Sequence, residues 1–436
     1  MEKRYSVGLY TLGCKVSQYE TEAIAEEFEK NGFIRRDFEH ECDVYVINTC
    51  TVTQESNRKS RQFIRRAIKR NENAVVMVIG CYSQTSFREI EKIEGVSYIS
   101  GTDNKLVLPK KALALLEEKK KPTPLCEVTS LENARFEDMR IEKTPRTRAY
   151  IKIEDGCDCR CTYCAIPNAR GPVRSRDMQS ILDEIKGLSE KGVKEVVLTG
   201  IEIASYGKDS GKARLIDLIE EIEKTGYIKQ LRLGSITPEI LTEDFILRLK
   251  NISSLAPQLH ISLQSGSDSV LKNMKRRYTT ERVEKALSLL RLHIPNIMFT
   301  CDVIAGFPME SEENFLETLS FMERARFLYA HIFAYSKRDN TPAASYDGQI
   351  DESIKKDRCK RLATLQKRVT DGILQAIVDK GDEMNAIFET FENGLLSGHT
   401  DSFIEVRAVG DDAWRGQIRP IIPLSHKNGV LFCKIK

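Results

Sequence analysis

Glu154 to Pro167 reads EDGCDCRCTYCAIP, so four cysteines, Cys157, Cys159, Cys161 and Cys164, fall within eight residues of chain. A loop of that kind has no use in a hydrophobic core and must be built around the chemistry of its thiols. The chain starts MEKRYSVGLY without an apolar signal segment, and its longest apolar run, AVVMVI, is only a strand long, which predicts a cytoplasmic protein with no membrane segment. In a reducing compartment, twelve cysteines in 436 residues point to metal or redox chemistry rather than to disulfides. Structural zinc normally takes two cysteine pairs from separate knuckles, and no partner pair stands near this loop, so zinc is the second reading. Cys157, Cys161 and Cys164 have the spacing C-x3-C-x2-C, with which one loop can wrap three irons of a cubane cluster and leave the fourth iron without a protein ligand. Cys159 is then a bystander.

The first third alternates β-like runs (YSVGLY, VYVIN, AVVMVI) with helical stretches from about Gln18 to Lys30 and from about Glu55 to Arg70, the pattern of a parallel α/β sheet. Each of these strands is followed at once by a cysteine: Cys14, Cys50 and Cys81. Strand carboxyl ends share one edge of such a sheet, where ligands gather, so the three cysteines are expected to meet and form a second metal-binding triad. Cys42, Cys126, Cys301, Cys359 and Cys433 fit neither pattern and read as packing or surface residues. A polar, proline-bearing linker is expected from about Leu106 to Arg148.

Downstream, six β-like runs (AYIKIE, EVVLTG, LRLGS, LHISLQS, IMFTCDVIAGF, AHIFAYS) alternate with amphipathic helical stretches. Six units are too few for a closed eight-stranded barrel and fit a partial one. Working residues of βα barrels sit at the carboxyl ends of the strands. The candidates there are Thr199, Gly200 and Glu202 after the second run, Ser235 after the third, Ser262, Gln264 and Ser265 after the fourth, Asp302 in the fifth, and Tyr335 with Ser336 after the sixth. Small and hydroxyl-bearing residues at such ends can grip a ribose or the amino-acid end of a cofactor.

The C-x3-C-x2-C loop resembles the signature of the radical S-adenosylmethionine enzymes, and the three strand-end cysteines resemble the amino-terminal domain of the methylthiotransferases among them. The strings GVKEVVLTGIEIASYGKD, ISLQSGSDSVLKNMKRRYT and AHIFAYSKRDNTPAAS are similar to the branch that modifies N6-threonylcarbamoyladenosine in tRNA. Branches acting on isopentenyladenosine or on a ribosomal-protein aspartate are the alternatives. The resemblance implies an α/β protein with an amino-terminal parallel α/β domain (1–140), a partial (β/α)6 barrel of radical type (141–370) and a small RNA-binding-like β-barrel (371–436). It implies two [4Fe-4S] clusters, one on Cys157, Cys161 and Cys164 and an auxiliary one on Cys14, Cys50 and Cys81. It also implies S-adenosylmethionine at the strand-end residues, a tRNA substrate, and an electron donor of the flavodoxin or ferredoxin kind. The expected reaction is hydrogen removal from C2 of the adenine and delivery of a methylthio group to that carbon. Glu202, Ser17, Met309 and Ala334 stand where the family pattern has histidine, asparagine, glycine and proline.

The tail turns into short β-like runs from about Asp371, the mark of a small barrel. Net charge is only +3, so an RNA partner must be held by local patches. Ser56–Arg70 carries seven Lys or Arg and no acid, and Ser353–Arg368 seven against one. Arg407, Trp414, Arg415 and Arg419 are candidate contacts in the terminal barrel, and Lys337 with Arg338 are candidates for the threonylcarbamoyl carboxylate.

Overall fold

Runs such as VYVINT and VVMVIG leave no polar face, and a strand of that kind is stable only when both of its faces are covered. The computed structural model describes residues 4–118 and 123–436 and places both runs inside one six-stranded sheet. Its strands are β1 (Ser6–Thr11), β2 (Ile34–Arg36), β3 (Val44–Thr49), β4 (Val75–Gly80), β5 (Tyr98–Ser100) and β6 (Leu125–Glu127), all parallel, in the order β2-β1-β3-β4-β5-β6. Helices α1 (Lys15–Lys30) and α4 (Leu108–Glu117) pack on one face, and α2 (Gln54–Arg70) and α3 (Cys81–Ile90) on the other. The strand order reverses between β1 and β3, which opens a crevice at their carboxyl ends.

The expected linker is shorter than the sequence suggested. Leu108 and Ala112 are buried against the sheet, so the stretch from 108 to 117 is α4, and β6 adds a strand beside β5. Lys119 to Pro122 lie outside the described residues. Only 128–147 runs without regular structure, and it carries Met139 and Ile141 into the core on its way to the next unit.

That unit is the partial barrel. Strand β7 (Arg148–Lys152) leads to a short antiparallel pair, β8 (Glu154–Asp155) and β9 (Arg174–Ser175), which brackets the cysteine loop and α5 (Ile166–Arg170). Then follow β10 (Glu195–Thr199), β11 (Gln230–Leu233), β12 (Ser235–Ile236), β13 (Gln258–Gln264), β14 (Met298–Ala305) and β15 (Tyr329–Ala334). They form two parallel arcs, β11-β10-β7 and β12-β13-β14-β15, joined through Gly234, so the barrel is open between β7 and β15. Helices α6 (Met178–Glu190), α7 (Leu215–Thr225), α8 (Glu243–Leu249), α9 (Asp268–Asn273), α10 (Thr280–His293) and α11 (Glu312–Ala325) connect the strands.

The boundary expected at 370/371 falls inside a helix. α12 (Glu352–Lys380) stays helical because Leu362, Gln366, Thr370, Ile373 and Leu374 present one buried face along it, and Gly381, at φ +63°, ends it. The terminal strands β16 (Met384–Glu392), β17 (Leu395–Thr400), β18 (Glu405–Val409), β19 (Ile418–Lys427) and β20 (Val430–Ile435) form a closed barrel in the order β16-β17-β18-β20-β19. Its β17–β18 turn plugs the starting ends of the central strands: Arg232 donates to the Asp401 carbonyl at 3.0 Å, and Arg148 and Arg232 lie over the Phe403 ring at 5.3 and 5.0 Å. Among the described residues no helix is long and apolar enough to cross a membrane.

Charge, not only apolar packing, joins the first unit to the second. Glu20 of α1, fully buried, accepts from Lys152 at 2.7 Å and Arg170 at 2.6 Å and has Lys105 at 3.4 Å, while Asp155 faces Lys152 at 2.6 Å. Removing one member of a buried charge network strands the others, at a cost of about 3–5 kcal/mol. Glu20→Ala is therefore expected to lower the unfolding free energy by about that amount, read as a fall in the midpoint of a denaturant titration. An unchanged midpoint would show that the seam does not depend on this carboxylate.

Candidate active site

The three strand ends deliver Cys14, Cys50 and Cys81 to the crevice at the switch point. Gly13, at φ +145°, brings its backbone close enough that a Cβ there would lie 3.4 Å from the Cβ of Cys50. Cys14 is exposed, Cys50 half-buried and Cys81 buried. Burial pushes the Cys81 thiol up to about 11, with the neighbouring Arg170 acting in the opposite direction and Cys50 and Cys14 adding to the rise. Three thiols from three strands, beside buried cations that outnumber their carboxylate partners, suit an anionic iron–sulfur cluster.

The second triad lies on a loop that only glycine can start. Gly156 has φ +85°, and a Cβ there would lie 1.9 Å from the Pro172 carbonyl oxygen. The turn puts the Cys157 N–H on the Gly171 carbonyl at 3.0 Å, and Thr162 pins the far side of the loop by donating to the Met274 and Asn273 carbonyls at 3.2 and 2.9 Å. Arg276 donates to Cys161 Sγ at 3.3 Å and to the Ser262 carbonyl at 3.2 Å; Tyr278 donates to the Ser262 and Leu263 carbonyls at 2.9 and 2.6 Å. Cys159 lies against Cys157, whose hydrogen bond holds the Cys159 thiol down to about 6.

The strand-end residues divide by what they touch. Glu154 accepts from the Glu202 N–H at 2.8 Å, and a Cβ on Gly200 would lie 2.6 Å from the same carboxylate oxygen. Its other oxygen is buried without a hydrogen-bond partner, the kind of orphan that a ligand's amine would satisfy. Burial, and then the charge of Cys159, raise Glu202 to about 7. Ser235 is exposed, and Gln264 turns at φ +67° as β13 ends. Thr199 is buried, and its carbonyl accepts from the Ile153 N–H at 2.9 Å, so it closes a ladder. Ser265 turns inward, accepting from the Ser267 N–H at 3.2 Å beside Thr318.

A cavity of about 230 Å³ joins the two cysteine regions: Val52 and Thr53, just past Cys50, face Cys164, Gln264, Asp302 and Tyr335. Beside it a polar groove of about 800 Å³ is lined by Asn57, Arg58, Arg61, Lys337 and Asn340 among others. Arg338 borders both spaces: it is buried and donates to Thr51 Oγ1 at 2.6 Å, so it ties the end of the central barrel to the segment after Cys50. Gln54 strengthens the tie, with its N–H on Ser336 Oγ at 3.4 Å and its amide on the Lys337 carbonyl at 3.1 Å.

The basic stretches are partly spent on structure. Arg358 is buried against Glu310, Arg361 reaches Glu312 and Arg368 reaches Glu323, so much of Ser353–Arg368 fastens α12 to α11 and the turn before it. In the terminal barrel Arg407 faces Glu405, Arg415 faces Asp412, and Arg419 lies 4.8 Å over the Trp414 ring. On α2, Lys59, Arg65 and Lys69 stay exposed.

The sequence reading assigned no role to Arg170, Arg276 or Tyr278, nor to a group inside the barrel where His260 meets Asp302 at 3.2 Å and Thr300 at 2.8 Å, with the His331 ring 5.5 Å away. The strand periodicity held a signal for this group, since its four members sit on three neighbouring central strands, β13, β14 and β15.

If the triads hold separate clusters, replacing Cys14, Cys50 and Cys81 with alanine should lower iron from about eight per chain to about four while reductive cleavage of S-adenosylmethionine survives. Cys161→Ser should abolish that cleavage and Cys159→Ser should retain it. Equal loss in the two serine variants would overturn the assignment of Cys159 as spare.

The comparisons with known proteins bear on the whole chain. Residues 151–322 match the radical SAM superfamily, and residues 6–101 match an uncharacterized protein family, UPF0004. The threonylcarbamoyladenosine tRNA methylthiotransferase of Bacillus subtilis is 40% identical over 95% of this chain and 92% of its own. The tRNA-2-methylthio-N(6)-dimethylallyladenosine synthase of Acetivibrio thermocellus is 32% identical over 85% of this chain and 78% of its own. In fold, the chain is similar to the radical S-adenosylmethionine methyltransferase TsrM of Kitasatospora setae, with TM-score 0.56 at 16% identity over 91% of this chain and 81% of that one. The chain belongs to the radical S-adenosylmethionine methylthiotransferases, in the branch of the threonylcarbamoyladenosine tRNA enzymes.

Proposed function

We propose that this chain adds a methylthio group to C2 of N6-threonylcarbamoyladenosine at position 37 of tRNA, beside the anticodon. The observation that carries the reading is the cavity lined by Cys164 of one triad and by Val52 and Thr53, the segment just past Cys50 of the other, because a base placed there lies between the two cysteine regions. When bound, the cluster on Cys157, Cys161 and Cys164 with one S-adenosylmethionine would supply the radical chemistry for hydrogen removal, and the cluster on Cys14, Cys50 and Cys81 would carry the sulfur, with a second S-adenosylmethionine as the methyl donor. The chain's own part is to hold and orient.

Arg276 and Tyr278 fix the β13 backbone under Ser262, so that this strand end and the cysteine loop keep one spacing. Glu154, Glu202, Ser235, Gln264 and Asp302 are the groups we assign to S-adenosylmethionine, with Thr199, Gly200 and Ser262 shaping the backbone around it. Val52, Thr53 and Tyr335 line the cavity. A nucleotide beside the anticodon is in a single-stranded loop and leaves its stack at lower cost than one in a duplex. Along the adjoining groove the exposed Lys337, with Arg58 and Arg61, which pair with Glu55 and Glu89 and would have to exchange those partners, suits the flanking phosphates and the threonylcarbamoyl carboxylate. The reaction needs reducing equivalents, for which a small flavodoxin-like or ferredoxin-like donor is the fitting partner, in the cytoplasm where tRNA is matured.

Expression in cells lacking their own enzyme, followed by digestion of bulk tRNA and mass spectrometry, should reveal the 2-methylthio form of threonylcarbamoyladenosine. Appearance of only the isopentenyl counterpart, or of a modified ribosomal protein, would refute the reading. Of the two cations expected at the carboxylate, Lys337 is the exposed one, while Arg338 is buried and donates to Thr51. A charge-assisted hydrogen bond contributes about 1.5–3 kcal/mol, so Lys337→Ala should lower kcat/KM for tRNA about ten- to hundredfold. Unchanged kinetics would move the contact elsewhere.

A further inference from the structure

Arg170 ends α5, six residues past Cys164, yet its guanidinium turns away from that loop into the seam with the first unit. Its Nε donates to Cys81 Sγ at 3.2 Å, and its two other nitrogens donate to the Glu20 carboxylate at 2.6 and 3.2 Å. Nη1 also reaches Asp155 at 3.3 Å, and Asp155 stands two residues before Cys157. The side chain is 0% exposed. One residue is thus joined through the backbone to one triad and through a hydrogen bond to the other.

The charges around it do not cancel. Lys105, Lys152, Arg170 and Arg174 converge on two paired carboxylates, Glu20 and Asp155, and Arg174 Nε has no partner. A buried excess of cations calls for an anion, and Cys81 is the group it meets. The other triad has its own donor in Arg276, on Cys161 Sγ at 3.3 Å.

We propose that Arg170 is a positioning residue for the auxiliary cluster: it holds Cys81 at a set distance from the radical loop and raises the reduction potential of the cluster that Cys14, Cys50 and Cys81 bind. Arg276 has the corresponding role at Cys161. The inference rests on the reading that both triads carry [4Fe-4S] clusters. Its physical basis is that reduction adds negative charge, so an N–H donor and nearby cations in a low-dielectric seam favour the reduced state more than the oxidised one.

The test is potentiometric titration of the anaerobic holoenzyme followed by electron paramagnetic resonance, with iron counted per chain. The two signals are separated by adding S-adenosylmethionine, which perturbs only the cluster it binds. Arg170→Lys keeps a positive charge beside Glu20 but cannot serve the sulfur and the carboxylate together. In this variant the signal insensitive to S-adenosylmethionine should move to lower potential while the sensitive one stays. Arg276→Lys should do the reverse. Glu20→Gln, which leaves Arg170 in place and removes its counter-charge, should move the insensitive signal to higher potential and serves if the arginine variant does not fold. Loss of about half the iron in Arg170→Lys, with cleavage of S-adenosylmethionine retained, would also support the positioning role. Unshifted insensitive signals with full iron in Arg170→Lys, or in Glu20→Gln where the former does not fold, would overturn it. Wild-type protein with only one cluster would instead refute the two-cluster reading on which it rests.

Discussion

The Glu20 carboxylate, buried between Arg170, Lys152 and Lys105, is the constraint on which the relation of the two cysteine triads depends. Apolar contacts between α1 and β7 bring the units together, but such contacts are non-directional and tolerate sliding. A bidentate guanidinium–carboxylate pair does not, because both nitrogens lose their geometry together. Placing that pair one bond network away from Cys81 and Cys157 converts the seam into a spacer for chemistry. The tie from Arg338 to Thr51 closes the same gap from the opposite side of the cavity. Between these two fastenings the walls of the cavity have little freedom to part.

Much of this was legible in the sequence where a local rule carries the information. The fully apolar runs announce buried parallel strands, and C-x3-C-x2-C announces its loop, because in each case neighbours in sequence act together. The six strand positions of the partial barrel and the closed terminal barrel were likewise foreshadowed by alternating β and helical runs. Arg170 could not be read in this way. Its partners Glu20, Cys81 and Asp155 lie on separate elements, and nothing in NARGPVRSR announces that all three of its arginines are buried. Arg338 was legible as a cation near the barrel mouth, but its burial depends on Thr51, far away in the chain. The α12 boundary was missed for a related reason: a helix that changes partners midway, from α11 to the terminal barrel, changes composition without changing structure.

The interior of the central barrel is polar where a closed barrel of this type would be filled with aliphatic layers. Arg148, Glu195, Arg232, Gln258, Thr300 and His260 form a connected set up its axis, and the terminal barrel seals the set from below with Asp401 and Phe403. An open barrel can hold such a lining because its members pair with one another along the axis, leaving the cysteine end as the entrance.

The long helix that links the two ends also measures them. α12 begins beside the catalytic end, where Lys355 lies over the Tyr335 ring at 5.4 Å, and finishes against the terminal barrel. At 1.5 Å per residue its 29 residues extend about 43 Å. Any RNA that touches both ends must therefore present a target nucleotide and a second landmark separated by roughly this length. The helix is a ruler, and a stem cut shorter than it would be read at one end only.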